Sequence, residues 1–146
     1  VALLFFAKYR KTGFSMGMAL ILGLLVCNIF LKPQVARIRP YNFQLQEYGR
    51  EITLLVKGLN DYSFPSGHTI ASFEACTVLM LHDKRLGIPA TVLAILIAFS
   101  RLYLYVHYPT DVLVSLVLGI LFGILGNLIV NAVYKKFVYK GKYIEE

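Results

Sequence analysis

Three polar clusters stand out in an otherwise apolar sequence, and each lies at the end of a hydrophobic run. The clusters are Lys32-x6-Arg39-Pro40, Pro65-Ser66-Gly67-His68 and Ser100-Arg101-x5-His107-x3-Asp111. Together they hold three cations, two histidines and one carboxylate. This set of side chains is suited to binding a phosphate group through positive charge while a histidine attacks its phosphorus.

In the first cluster, Pro40 restricts the backbone of Arg39 to extended geometry. An arginine held in this way can present its planar fork to two phosphate oxygens, while Lys32 supplies a point charge. The alternative is that both side chains are anchors that reach from a membrane boundary into water. Arg37 lies between them and is open to two interpretations, a supporting contact behind the site or a contact to a lipid headgroup.

The second cluster precedes an apolar helix, for which Ser66 is a suitable N-cap. Gly67 allows a ligand to approach the backbone closely, and the free N–H groups at a helix start attract anions. His68 then lies in the first turn, beside any anion bound there. The alternative is an ordinary capped helix with a histidine at the membrane interface.

In the third cluster, Arg101 lies inside an apolar run, where an arginine is costly unless it is paired or faces a polar cavity. The four-residue spacing of His107 and Asp111 can bring the carboxylate to one ring nitrogen at a helix start. The carboxylate would then set the tautomer and stabilise the imidazolium, which leaves the other nitrogen free to attack. The alternative is a capping aspartate beside a boundary histidine.

A metal site built on the two histidines is disfavoured by the charges around them. Asp111 is the one obvious carboxylate partner in the clusters, and the nearby lysine and arginines would repel a cation. We therefore expect a site without a metal and without a cofactor.

The composition predicts an integral membrane protein with an all-α fold. Of the 146 residues 58% are hydrophobic and 16% are charged, and the mean hydropathy is +0.65. Runs close to the roughly 20 residues that cross a bilayer as a helix indicate four complete spans and an N-terminal stub within one domain, 1–146. The spans are 14–31, 66–82, 88–106 and 111–134, with the stub at 1–7. The stub resembles the tail of a spanning helix, so we expect an incomplete N-terminus.

Alternating the spans across the membrane separates the lysines and arginines into two sets. One side receives nine cations, in short loops and in the C-terminal tail: Lys8, Arg10, Lys11, Lys84, Arg85, Lys135, Lys136, Lys140 and Lys142. The other side receives six, among them every cation of the three clusters: Lys32, Arg37, Arg39, Arg50, Lys57 and Arg101. The positive-inside rule makes the first side cytoplasmic, so the candidate site is predicted to face outward.

The net charge of +7 does not indicate a nucleic-acid partner, because no basic stripe with interleaved aromatic residues is present. Cys27 and Cys76 lie inside apolar runs and are expected to be unpaired packing residues. Residues 44–59 of the long outer connection predict a short interfacial helix. Glu74, well inside a predicted span, is interpreted as a packed carboxyl or as a group that influences substrate handling.

The three clusters together resemble the signature of the type-2 phosphatidic acid phosphatase superfamily. The resemblance covers residues 32–111 with all three parts in order, and the pattern of apolar runs extends it to both ends of the chain. It implies a membrane bundle of six helices, of which this chain supplies four and the stub.

The resemblance also implies a role for each site residue. His107 is the expected nucleophile that forms a phosphohistidine, Asp111 orients it, and His68 protonates the leaving oxygen. The implied ligands of the phosphate are Lys32, Arg39, Ser66, Gly67 and Arg101. Water then hydrolyses the intermediate without a metal ion, and vanadate is expected to inhibit because it resembles the five-coordinate transition state.

The function that these observations predict is hydrolysis of a lipid phosphate or pyrophosphate, with undecaprenyl pyrophosphate as the first candidate because the short chain resembles small bacterial members. Phosphatidic acid and phosphatidylglycerophosphate stay open as substrates, as does phosphotransfer to a second lipid. A non-catalytic lipid-binding protein is the alternative from another class, although binding alone does not require two histidines and a carboxylate.

Overall fold

The computed structural model describes residue 4 and residues 6–139, and in that part of the chain every regular element is helical. The all-α prediction is therefore confirmed for the described residues. Most of the N-terminal stub, 1–7, and the tail cations Lys140 and Lys142 lie outside them.

The first helix, α1, runs over Arg10–Gly23, continues as π-helical turns over Leu24–Leu31 and returns to α-helix over Lys32–Val35. Ala36 ends it in a left-handed conformation with φ 47°. A short helix, α2, follows over Pro40–Tyr48, where the proline occupies the first turn and needs no N–H partner. The predicted interfacial helix at 44–59 was wrong in its bounds, because Gly49, with φ 62°, ends α2 and residues 49–66 form no helix.

The remaining helices are α3 (Gly67–His82), α4 (Lys84–Tyr103) and α5 (Pro109–Val133, followed by π-helical turns over Tyr134–Tyr139). A sharp connection joins α3 to α4, in which Asp83 accepts a hydrogen bond from the backbone N–H of Arg85 at 3.0 Å. Helix α3 packs against α1, α4 and α5. It is the helix around which α1, α4 and α5 are arranged.

Close packing of α5 depends on small residues. A Cβ at Gly119 would lie 2.7 Å from Cβ of Phe73, and one at Gly126 would lie 2.6 Å from the backbone nitrogen of Ala19. These contacts let α5 approach α3 and α1 closely, which is how helices associate where no hydrophobic effect drives them together.

The outer surface of the bundle is apolar, as a lipid environment requires. Phe30, Phe99 and Leu113 are each more than 60% exposed. Three helical stretches are long and apolar enough to cross a membrane, namely Ala7–Tyr48, Lys84–Tyr103 and Pro109–Phe137. Helix α3 has 16 residues and lies below that length. Cys27 and Cys76 are buried free thiols, as predicted.

Candidate active site

The three clusters meet at one end of the bundle, where α1 ends, α3 begins, α4 ends and α5 begins. A cavity of about 390 Å³ is lined there by Asn28, Lys32, Arg39, Leu59, Asp61, Gly67, His68, Ala71 and His107. The fold thus brings both candidate histidines and two of the three candidate cations to a single cavity. Lys32 and His107 both line this cavity, although they are 75 positions apart in the sequence.

His107 follows α4 in a sharply turned segment in which Tyr105 adopts a left-handed conformation with φ 57°. A non-glycine residue rarely adopts this conformation unless the surrounding structure holds it. The turn leads from the end of α4 to the start of α5 at Pro109 and leaves the ring of His107 at the cavity wall, 5% exposed.

Asp111 lies directly behind His107 and is fully buried. Its Oδ2 is 3.6 Å from Nδ1 of His107, a separation longer than a hydrogen bond. The same oxygen accepts hydrogen bonds from Ser63 Oγ and, at 3.0 Å, from the backbone N–H of Tyr108. The carboxylate is therefore held by its neighbours, and Nδ1 of His107 has no closer partner within the described residues. Contacts of this kind often tighten only when the substrate is bound.

Arg37 supplies the other support of Asp111. Its Nη1 donates to Oδ1 of Asp111 at 2.6 Å and to Oγ1 of Thr110 at 2.7 Å. The guanidinium also stacks on the ring of Tyr108, with Cζ 3.9 Å from the ring centroid. Of the two interpretations left open by the sequence, this geometry favours the supporting contact behind the site.

Arg39 is 2% exposed and adopts the extended backbone predicted from Pro40, with φ −69° and ψ 150°. Nε donates to the backbone oxygen of Asp61 at 2.9 Å, and Nη1 donates to the backbone oxygen of Val106 at 2.8 Å. The arginine thereby ties the connection before α3 to the turn before His107. Its Nη2 contacts Oδ1 of Asp61 at 2.6 Å.

Asp61 also accepts a hydrogen bond from Lys32, with 2.6 Å between Nζ and Oδ2. Partial burial opposes ionisation of this carboxyl, but the hydrogen bonds and charges of Lys32 and Arg39 outweigh it and lower its pKa to about 2. Asp61 is therefore a carboxylate at neutral pH.

Ser66 is the N-cap residue of α3, as predicted, although its hydroxyl accepts no backbone N–H in the way a capping side chain does. Its own N–H donates to Oγ of Ser115 at 2.7 Å, and its Oγ accepts from Thr69. Gly67 lines the cavity, where an added Cβ would lie 3.3 Å from Oδ1 of Asn28. Ser66 thus orients the start of α3, and Gly67 faces the cavity.

Arg101 is the one candidate cation that does not line the cavity. It lies in the last turn of α4, and its Nε and Nη2 donate to Oγ of the neighbouring Ser100 at 3.1 and 2.9 Å. The side chain is half-buried.

A second cavity of about 260 Å³ adjoins the first between α1 and α3. The two share Asn28, Gly67 and Ala71, and the second extends along Leu20 and Leu24 to Glu74. Glu74 is 1% exposed, and its Oε1 has no hydrogen-bond partner in the described part of the chain. The carboxyl fits only because residue 23 is glycine, since a Cβ there would overlap Oε1.

Comparison with known proteins decides the family. A model of the PAP2 superfamily matches residues 12–135. The chain belongs to the PAP2 superfamily. The resemblance inferred from the three clusters is therefore confirmed.

The PAP2 chain is similar to proteins that are named as lipid phosphatases. It is 35% identical to an undecaprenyl-diphosphatase of Sulfolobus acidocaldarius over 80% of this chain and 54% of that protein. It is 36% identical to phosphatidylglycerophosphatase B of Bacillus subtilis over 77% of this chain and 56% of that protein. The chain thus spans about half the length of the curated relatives it matches.

The crystal structure of a transmembrane PAP2-type phosphatidylglycerolphosphate phosphatase from Bacillus subtilis matches with a TM-score of 0.59 and 27% identity, covering 93% of this chain and 65% of that one. Together with the apolar helices, this match makes the PAP2 protein a multi-pass membrane protein.

Several residues that shape the PAP2 site were not assigned a role from the sequence. Asp61, Ser63, Ser115 and Asn28 each contact a cluster residue or line the cavity. Asp61 and Ser63 stand within five residues of the second cluster, and a search for polar residues flanking it would have found them. Asn28 and Ser115 carry no such signal, because a polar residue inside an apolar helix does not reveal which neighbour it faces.

Proposed function

We propose that this protein is an integral membrane phosphatase that hydrolyses a lipid phosphate or diphosphate through a phosphohistidine at His107. The observation that carries the proposal is that His107, His68, Lys32 and Arg39 line one cavity, with Asp111 buried behind His107. The names of the similar proteins support the reaction class. Undecaprenyl diphosphate is the first candidate substrate, since an undecaprenyl-diphosphatase is among the relatives with substantial identity.

In this mechanism, Lys32 and Arg39 hold the phosphate, with Gly67 allowing close approach to the start of α3. Nδ1 of His107 faces Asp111, so Nε2 is the nitrogen that attacks phosphorus. The P–O bond to the leaving group breaks, and His68 donates a proton to the departing oxygen. The intermediate is a phosphohistidine, and the leaving group is a lipid alcohol or a lipid monophosphate.

In the second half of the reaction, water attacks the phosphorus of the phosphohistidine while His68 accepts its proton. The P–N bond breaks, inorganic phosphate leaves and His107 is regenerated. Asp111 stabilises the charge on the imidazole in both steps, and Arg101 adds positive charge to the bound phosphate after a change of rotamer. The cations of the site supply the charge stabilisation, so we expect activity to persist in EDTA.

The adjoining cavity supports a lipid rather than a soluble substrate. It begins at Asn28 and Gly67, beside the phosphate-binding residues, and continues between apolar side chains of α1 and α3. We infer that the part of the lipid next to its phosphate lies in this cavity. Helix α3, although short, serves as the fourth span, and the site faces the extracytoplasmic side in agreement with the distribution of lysine and arginine.

The assay that tests the proposal measures phosphate release by the purified protein in detergent with EDTA. Undecaprenyl diphosphate, phosphatidic acid and phosphatidylglycerophosphate are offered separately to wild type, His107→Ala, His68→Ala and His82→Ala. His82 is the matched control, because it lies at the opposite end of α3, where Nε2 contacts Asn127 Oδ1 at 2.8 Å. We expect release by wild type and His82→Ala alone.

Two results would contradict the proposal. Full activity of His107→Ala would exclude the phosphohistidine route. Absence of release from every substrate by wild type would favour transfer of the phosphoryl group to a second lipid, or lipid binding without catalysis, and an assay with a lipid alcohol as acceptor separates these two.

A further inference from the structure

Asp61 places a negative charge inside the cluster of cations that is expected to bind phosphate. Its Oδ2 accepts from Lys32 Nζ and its Oδ1 from Arg39 Nη2, both at 2.6 Å, and the residue itself lines the cavity. One carboxylate thus bridges two of the cations of the site. A bidentate anion between a lysine and an arginine is also the arrangement that a bound phosphate would adopt.

Lys32 and Arg39 have few other hydrogen-bond acceptors within reach among the described residues. Arg39 is 2% exposed, and its Nε and Nη1 are already bonded to the backbone oxygens of Asp61 and Val106. Among the described residues, Nη2, which contacts the Asp61 carboxylate, makes one further and longer contact, 3.3 Å to the backbone oxygen of Tyr62. Lys32 is 14% exposed and donates to Asp61. A phosphate oxygen that approaches Nη2 of Arg39 meets the carboxylate of Asp61.

Asp61 can leave this position more easily than either cation. Its side chain is 51% exposed, whereas the side chains of Lys32 and Arg39 are largely buried. A carboxylate that swings into water regains hydration, while a buried cation without a partner does not. Exchange of the carboxylate for a phosphate keeps both cations paired throughout.

We propose that Asp61 is an internal anion that competes with phosphate for Lys32 and Arg39 and thereby sets the affinity of the site for substrate and for product phosphate. The inference rests on the proposed function, in that the cavity must be the phosphate site. In this role Asp61 weakens the ground-state binding of the substrate. The benefit is release of inorganic phosphate, because the carboxylate takes over the cations as the product leaves.

The sign of the effect distinguishes this role from a positioning role. If Asp61 competes, replacing its charge strengthens the binding of phosphate. If Asp61 instead holds Lys32 and Arg39 in the orientation that phosphate needs, the same replacement weakens it. The variant Asp61→Asn keeps the shape of the side chain and removes the charge, so the two roles predict opposite shifts.

The experiment is isothermal titration calorimetry of inorganic phosphate and of orthovanadate into the purified protein in detergent, at neutral pH and low ionic strength. Wild type is compared with Asp61→Asn and with Glu51→Gln, which removes one negative charge from an exposed position on the same connection. We expect the Kd of both anions to fall about tenfold in Asp61→Asn and to stay unchanged in Glu51→Gln. Asp61→Ser is a second variant in case the asparagine form does not fold.

An unchanged or higher Kd in Asp61→Asn, with binding by wild type, would overturn the inference and leave the proposed function standing. A Kd that falls equally in Glu51→Gln would also overturn it, because the effect would then be one of net charge. Absence of phosphate and vanadate binding in every form would overturn the assignment of the cavity together with the inference. Since the titration does not need turnover, failure to hydrolyse lipids would count against the proposed function alone.

Discussion

Arg37 and Asp111 form an ion pair with 2.6 Å between Nη1 and Oδ1. The same carboxylate turns its other oxygen, Oδ2, toward Nδ1 of His107. The aspartate that the mechanism assigns to His107 is thus held from two sides, by a guanidinium on one oxygen and by Ser63 and the Tyr108 backbone on the other.

This ion pair predicts that Arg37 positions Asp111 without touching the phosphate. We expect Arg37→Met to lower kcat about 10- to 100-fold, because a small displacement of a catalytic group has effects of that size. The Kd of inorganic phosphate should stay the same, since Arg37 does not line the cavity. Steady-state kinetics and phosphate titration check the two expectations together.

Arg50→Met is the control for Arg37, because Arg50 is an exposed cation on the same connection between α1 and α3. Partial recovery of kcat in Arg37→Lys would show that the positive charge contributes, because lysine lacks the planar guanidinium that stacks on Tyr108. A kcat equal to that of wild type in Arg37→Met would mean that Asp111 keeps its orientation without this ion pair.

Asp111→Asn tests the orienting role directly. The amide keeps the shape but removes the charge that stabilises the imidazolium, so we expect kcat to fall by roughly 10⁴-fold, the size seen when the carboxylate of a catalytic triad is replaced in this way. Acid-quenched samples analysed for phosphohistidine should show slower formation of the intermediate. Formation at the wild-type rate would mean that His107 does not depend on Asp111.

Gly23 predicts a packing defect that is specific to Glu74. A Cβ at Gly23 would overlap Oε1 of Glu74, so Gly23→Ala is expected to destabilise the protein by about 1–3 kcal/mol, as overpacking does. Gly17→Ala is the matched control in the same helix, because nothing lies within 4 Å of its added Cβ. Thermal unfolding in detergent measures both.

The double variant Gly23→Ala/Glu74→Ala separates packing from other causes of instability. It should recover most of the stability lost in Gly23→Ala, because removal of the carboxyl makes room for the methyl group. If Gly23→Ala is as stable as Gly17→Ala, the two helices can shift apart at this point, and the close packing of Glu74 against α1 is not a constraint.

Asp61 predicts a dependence of stability on acid pH. Its pKa is lowered in the folded protein to about 2 from an ordinary value of 3.8. A lowered pKa stabilises the folded state above pH 3.8, and that contribution is lost as the pH falls toward 2. The unfolding temperature of wild type should therefore exceed that of Asp61→Asn at pH 5, and the difference should shrink as the pH is lowered through this window. A difference that stays constant down to pH 2 would mean that the two ion pairs of Asp61 do not stabilise the fold.

The order and spacing of the polar clusters were enough to predict the family. They also predicted that each cluster lies at the end of an apolar helix. The predicted span 66–82 and the observed helix Gly67–His82 differ by one residue, because Ser66 has the extended backbone of an N-cap. The interfacial helix was misplaced, because its prediction rested on the apolar periodicity at 44–59 alone. The observed helix starts at Pro40 and is ended by Gly49.

The sequence by itself determined which residues are candidates for the chemistry, because a histidine, an arginine or a proline has its chemical properties wherever the chain places it. Only the tertiary structure decided how they are partnered. Arg37 is paired with Asp111, Lys32 and Arg39 share Asp61, and Arg101 bonds to Ser100 outside the cavity. These contacts join residues up to 74 positions apart or depend on a single rotamer. The long-range pairs follow from the way the ends of the helices and the connection before α3 pack together, for which no local pattern in the sequence is a guide.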